Sequence, residues 1–97
     1  MKPAHVHPEA EREADSAFEW YWLRSESSAL SFDAELRHAF SFLRRSPKAC
    51  TPYIAGARRL MLKKIPFFVV FRELPRKTQI IAVAHAKRRP GYWRGRV

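Results

Sequence analysis

Cysteine occurs once, at Cys50, which rules out an intrachain disulfide and leaves the core without a covalent staple. The histidines His5, His7, His38 and His85 show no zinc-like spacing with it; His5 and His7 would share a strand face, but two ligands do not make a structural site. No metal and no cofactor are expected. Glycine is also scarce. The chain carries no Gly-rich phosphate loop, GxSxG elbow, carboxylate pair or Cys-His dyad, so hydrolases and nucleotide-binding enzymes of those kinds have no support. An apolar run of ~18 residues and a signal-peptide pattern are missing too, which makes the cytoplasm the expected compartment and a membrane no expected partner.

Acid is the remaining scarcity, and it is unevenly placed. Residues 1–35 hold eight of the nine Asp and Glu against three of the nineteen Lys and Arg, a balance of −5, whereas residues 36–97 stand at +15. A field that one-sided attracts a polyanion or an acidic protein. The 46% hydrophobic and 13% aromatic content is enough to offset the entropy of ordering. A length of 97 residues allows one modest core, so residues 1–97 are expected to form a single domain.

The pattern predicts an α+β fold: a short N-terminal strand and a two-helix hairpin packed on a small antiparallel sheet. Residues 3–7 supply the short strand, and Pro8 reads as the first-turn proline of a helix opened by Glu9, Glu11 and Glu13. Ala10, Ala14, Ala17, Phe18 and Tyr21 share one face of it, while Trp20 and Leu23 fall outside that face. A second helix is expected to cover these two, and a partner is the alternative. The serines of residues 25–28 suit a helix connection and an N-cap. Ala29, Phe32, Leu36, Ala39, Phe40 and Leu43 then recur at helical spacing until Pro47, and residues 47–56 read as a loop. From Ala57 the period changes to that of strands, with runs before Lys63, at Phe67–Phe71 and at Gln79–Ala84.

The densest chemistry follows the last strand: His85, Lys87, Arg88, Arg89, Tyr92, Trp93, Arg94 and Arg96. Cations interleaved with rings offer phosphate neutralisation and stacking, which single-stranded nucleic acid binding needs. A solvated basic tail whose Tyr92 and Trp93 fold back onto the core gives the same pattern. His85 and Tyr92 also supply the residue types for proton transfer in RNA cleavage, although a histidine at a strand end is commonly a hydrogen-bonded structural residue.

Three segments taken together, HPEAEREADSAFEWYW, GARRLMLKKIPFFVVFRE and IIAVAHAKRRPGYW, resemble the RelE/ParE superfamily of type II toxin-antitoxin toxins over nearly the whole length. The resemblance implies a toxin neutralised by a cognate antitoxin, with Trp20, Leu23 and Arg58 as antitoxin-binding candidates. Its ribonuclease branch cleaves mRNA on the ribosome, and Arg59, Arg88 and Tyr92, with His85 as a proton-transfer candidate, match part of that set. Two further cation positions fall on Met61 and Phe68, which removes charge stabilisation from the scissile phosphate. The chain therefore looks closer to the ParE-like branch, which inhibits DNA gyrase and needs a binding surface instead of a catalytic set. Candidates for target or nucleic-acid binding are Arg58, Arg59, Lys63, Arg72, Lys87, Arg88, Arg89, Tyr92 and Trp93. A nucleic-acid-binding protein without toxicity is the plainest further reading.

Overall fold

The computed structural model describes residues 2–97. A short strand β1 (Ala4–Val6) leads into α1 (Pro8–Trp22) and α2 (Glu26–Arg45), followed by strands β2 (Thr51–Pro52), β3 (Arg58–Met61), β4 (Phe67–Glu73) and β5 (Thr78–His85). The sheet order is β1-β5-β4-β3-β2.

Local chemistry sets the helix ends. Pro8 opens α1 as expected, but its cap is His7, whose Nδ1 accepts the Glu9 amide at 3.0 Å. Ser25 caps α2 by accepting the Ser28 amide at 3.3 Å. Glu26 in the first turn and Arg44 and Arg45 in the last complement the dipole of α2.

Two features of the sheet depart from the sequence expectation. β1 runs parallel to β5, so the sheet is mixed instead of antiparallel throughout. Parallel neighbours need a long crossover, which the intervening helices and strands supply, and short-range alternation carries no signal for such a pairing. Within the stretch read as a loop, Thr51 and Pro52 pair with Arg59 and Arg58 as a two-residue edge strand, a position where proline loses no ladder bond.

Each face of the sheet has its own core. On one, Phe32, Leu36 and Leu43 of α2 and Ala10 and Ala17 of α1 bury Val69, Phe71, Ile80 and Val83. On the other, Phe68, Val70, Ile81, Ala82 and Ala84 lie under Trp93, with Tyr53, Ile54 and Tyr92 at the margin. The register shifts between Val70 and Phe71, leaving Ile81 as an extra residue opposite β4, so that Ile81 and Ala82 both join the second core. The tail returns over this second face at Gly91. Its φ of 80° favours glycine, and a Cβ there would also come within 3.1 Å of the Arg94 and Ile54 side chains.

The expectation that a second helix covers Trp20 and Leu23 does not hold: they are 52% and 74% exposed. α2 meets α1 through Tyr21, whose ring stacks on Phe32 at 5.5 Å, and that contact leaves the Trp20 side of α1 uncovered. The Trp20 ring instead carries the Arg24 guanidinium at 3.7 Å.

Candidate functional site

A cleft of about 660 Å³ opens between α1 and the end of β5. Trp20, Tyr21 and Phe67 form its apolar wall, and Arg12, His85, Arg88, Tyr92 and Arg96 its polar one. Three candidates from the sequence thus meet here: His85, Arg88 and Tyr92.

The residues that build this wall are locally fixed. His85 ends β5 opposite Phe67, whose ring it meets edge-on at 5.0 Å, and its Nδ1 accepts the Lys87 amide at 3.0 Å. This is the structural role common for a strand-end histidine. The Arg88 guanidinium lies 3.9 Å from the centre of the Tyr92 ring. Tyr92 donates its hydroxyl to Glu13 at 2.6 Å. Burial and the Glu13 carboxylate both hold the Tyr92 phenol well above the ordinary tyrosine range, so it is a donor and not a base at neutral pH.

Arg59 stands apart. On β3 it shares the face of the sheet away from the helices with Met61 and Phe68, and its guanidinium rests over the rings of Tyr53 at 4.6 Å and Phe68 at 5.4 Å. β4 separates β3 from β5, a span of about 10 Å across the ladder. Arg59 does not line the cleft, whereas His85, Arg88 and Tyr92 do. Met61 and Phe68 are direct partners across β3 and β4, so the two positions where the ribonuclease pattern wants cations do adjoin Arg59. Here one is a half-exposed methionine and the other a buried phenylalanine.

The remaining candidates scatter. Trp93 is 1% exposed and fills the second core, which withdraws it from any docking or stacking surface. Its indole covers apolar strand residues that have no helix above them, so the fold-back pattern is the one realised. Arg58 donates to the Cys50 carbonyl at 2.9 Å and Arg72 to the Gln79 amide oxygen at 2.7 Å. Arg58, on β3, lies two strands from β5, over which α1 packs, so it does not join Trp20 and Leu23 in one patch. The amides of Lys63 and Lys64 both donate to Glu35, which fixes the turn and leaves the Lys63 side chain at the surface. Lys87, Arg88 and Arg89 are exposed and, among the described residues, pair with no carboxylate.

Sequence reasoning missed Glu13, which it treated as a helix-dipole charge. Its spacing held a signal: Ala10, Glu13 and Ala17 share the core face of α1, and a carboxylate there requires partners. Arg96 supplies two of them, at 2.8 and 3.0 Å. Among the described residues no group of three or more His, Cys, Asp or Glu side chains could hold a metal ion, and no helix is long and apolar enough to cross a membrane.

Comparison with known proteins bears on this geometry. The family model described as the ParE toxin of type II toxin-antitoxin system, parDE, matches residues 5–90. A chain of the solved chromosomal ParDE TA system from P. aeruginosa superposes with a TM-score of 0.77 at 19% identity, over 90% of this chain and 98% of that one. At that identity the likeness is one of fold. None of the curated proteins matches the chain.

Proposed function

The chain belongs to the ParE toxin family of type II toxin-antitoxin systems, and from that premise we infer a protein that arrests growth by docking on DNA gyrase until its cognate antitoxin covers it. One observation carries the choice of target. The two positions beside Arg59 at which a ribonuclease would hold further cations are taken by Met61, half-exposed, and Phe68, buried, so Arg59 stands without them over the rings of Tyr53 and Phe68. Phosphate cleavage requires charge stabilisation as well as proton transfer at the phosphorus, and two apolar side chains supply none of that charge. A docking surface has no such requirement. Lys87, Arg88 and Arg89, adjacent in the chain and without a carboxylate partner among the described residues, support binding to an acidic protein or a protein-DNA complex, in which steering depends on net field.

Two assays test the reading. Purified protein at excess over gyrase is expected to inhibit supercoiling and to stabilise cleaved DNA complexes; unaltered supercoiling sinks the gyrase target. Induced cells are expected to show no codon-positioned mRNA cuts, and such cuts would restore the ribosome as the target. In the antitoxin-bound state the exposed Trp20 and Leu23 would be covered, which makes them the candidate anchors of the neutralising partner.

A further inference from the structure

Beyond Val6, β5 has no neighbouring strand on its outer side: the pairing ends at Ile80, and the last bond is from the His7 amide to the Ile80 carbonyl at 2.9 Å. Backbone groups past that point need other partners. Glu13 and Arg96 supply them. Glu13 Oε1 accepts the Val83 amide at 3.0 Å, and Arg96 Nη1 donates to the Ile81 carbonyl at 3.1 Å. The same two side chains form a forked ion pair, of which 14% and 17% remain accessible, and the second carboxylate oxygen also receives the Tyr92 hydroxyl. One carboxylate on α1 thus ties the open strand edge, the Tyr92 ring and the end of the tail to a single point.

What this point controls is the direction of the basic loop. Residues 86–97 contain no helix or strand longer than a single 3-10 turn, Arg94–Arg96; turn hydrogen bonds from the Ala86, Lys87 and Arg88 amides to Pro66 and His85 hold the start of the loop, and its far end needs tertiary contacts. Trp93 anchors that far end in the second core, and a ring packed among apolar groups sets no direction for the guanidinium groups beside it. Glu13 supplies that direction by holding Tyr92, and the Tyr92 ring in turn carries the Arg88 guanidinium. We propose that Glu13 is a positioning residue: through Tyr92 and Arg96 it fixes the direction in which Lys87, Arg88 and Arg89 meet the target. This rests on the reading of that loop as the target-facing surface. Fixing the cations before encounter reduces the ordering cost of binding. Tyr92 and Arg96 lie past residue 90, where the family match ends, while Glu13 lies within it.

The test uses the intact protein with Glu13→Gln, which keeps the side-chain shape but cannot accept the guanidinium fork with both atoms. In the wild type, the Arg88 side-chain protons should be shifted upfield by the Tyr92 ring in proton NMR. In Glu13→Gln that shift should collapse, and the Arg88, Tyr92 and Arg96 amides should exchange about tenfold faster while those of β4 stay unchanged. Inhibition of gyrase should fall to the level of Arg88→Ala. An unchanged Arg88 shift overturns the proposal, as does gyrase inhibition equal to wild type. Should Glu13→Gln fail to fold, Tyr92→Phe removes one hydrogen bond, leaves the ion pair, and is expected to shrink the same Arg88 shift; no change there also overturns it. If wild-type protein does not inhibit gyrase but the shift and the exchange respond, the choice of target fails and the positioning of the loop by Glu13 stands.

Discussion

One face of the sheet is covered by a 15-residue and a 20-residue helix, the other by a loop and a tail with no regular element longer than a 3-10 turn. The helical face spreads its burial over many side chains, with Phe32, Leu36, Ala39 and Leu43 from α2 alone. The far face places much of its burial in Trp93, ringed by Tyr53 and Tyr92. Charge is divided along a similar line, because the helices hold eight of the nine acids and the tail carries cations with Glu13 as its acid partner. The comparison shows how a chain this short combines a stable fold with a basic docking surface. The helices are structural over most of their area, whereas the tail must be both cover and contact.

The largest expected effect tests whether the far face depends on one side chain. Trp93→Ala should cost about 3–5 kcal/mol, because deleting a fully buried indole leaves a cavity that strand residues cannot fill. On the helical face, Leu36→Ala should cost ~2–3 kcal/mol, since its neighbours along α2 keep the face covered. Urea unfolding of both variants measures the contrast, and a greater loss from Leu36→Ala would show that burial on the far face is distributed after all.

Trp20→Ala sharpens the comparison from the helix side, where α1 shows an apolar group that the fold does not use. Its removal should change stability by less than ~1 kcal/mol, since the ring is half exposed and its cation contact with Arg24 is at the surface. Affinity for the antitoxin should fall by about 2 kcal/mol, roughly 30-fold, if Trp20 is a central anchor. Isothermal titration reads the second quantity and thermal melting the first. Equal antitoxin affinity in the variant would move the neutralising contact elsewhere.

Helices and central strands were legible in the residues because periodicity reports them directly. Ala10 to Tyr21 and Ala29 to Leu43 carry the helical spacing, and the runs at Phe67 and Gln79 carry the strand pattern. The parallel pairing of β1, the two-residue β2 and the bulge at Ile81 were not legible, because each depends on contacts between distant segments. At the site, the sequence located the basic loop and its rings but not the division of Arg59 from Tyr92. Strand alternation could assign Arg59 to a face; it could not say that Tyr92 would turn to Glu13 at the open edge of β5. Glu13 was hidden for a related reason, since its four hydrogen bonds reach Val83, Tyr92 and Arg96, some 70 to 83 residues along the chain.

The smallest effect isolates one bond of the tail's attachment and has a definite sign with pH. Tyr92 is held above its ordinary pKa by burial and by the Glu13 carboxylate, so the folded state favours the neutral phenol. A group raised in this way contributes stability that is fully present below its unfolded pKa of about 10 and is lost as pH climbs toward the folded value. Tyr92→Phe keeps the ring, loses the hydroxyl bond to Glu13, and should cost ~1–2 kcal/mol near pH 7, as expected for a hydrogen bond to a charged acceptor. Above about pH 10 the wild type should lose stability faster than the variant, because only its unfolded chain releases the phenolic proton there. The difference between the two should therefore narrow as pH rises through the alkaline range, measured by denaturant unfolding at constant ionic strength. A gap that stays constant would mean that the hydroxyl leaves Glu13 in solution, and the tail would then be held by Trp93 and Arg96 alone.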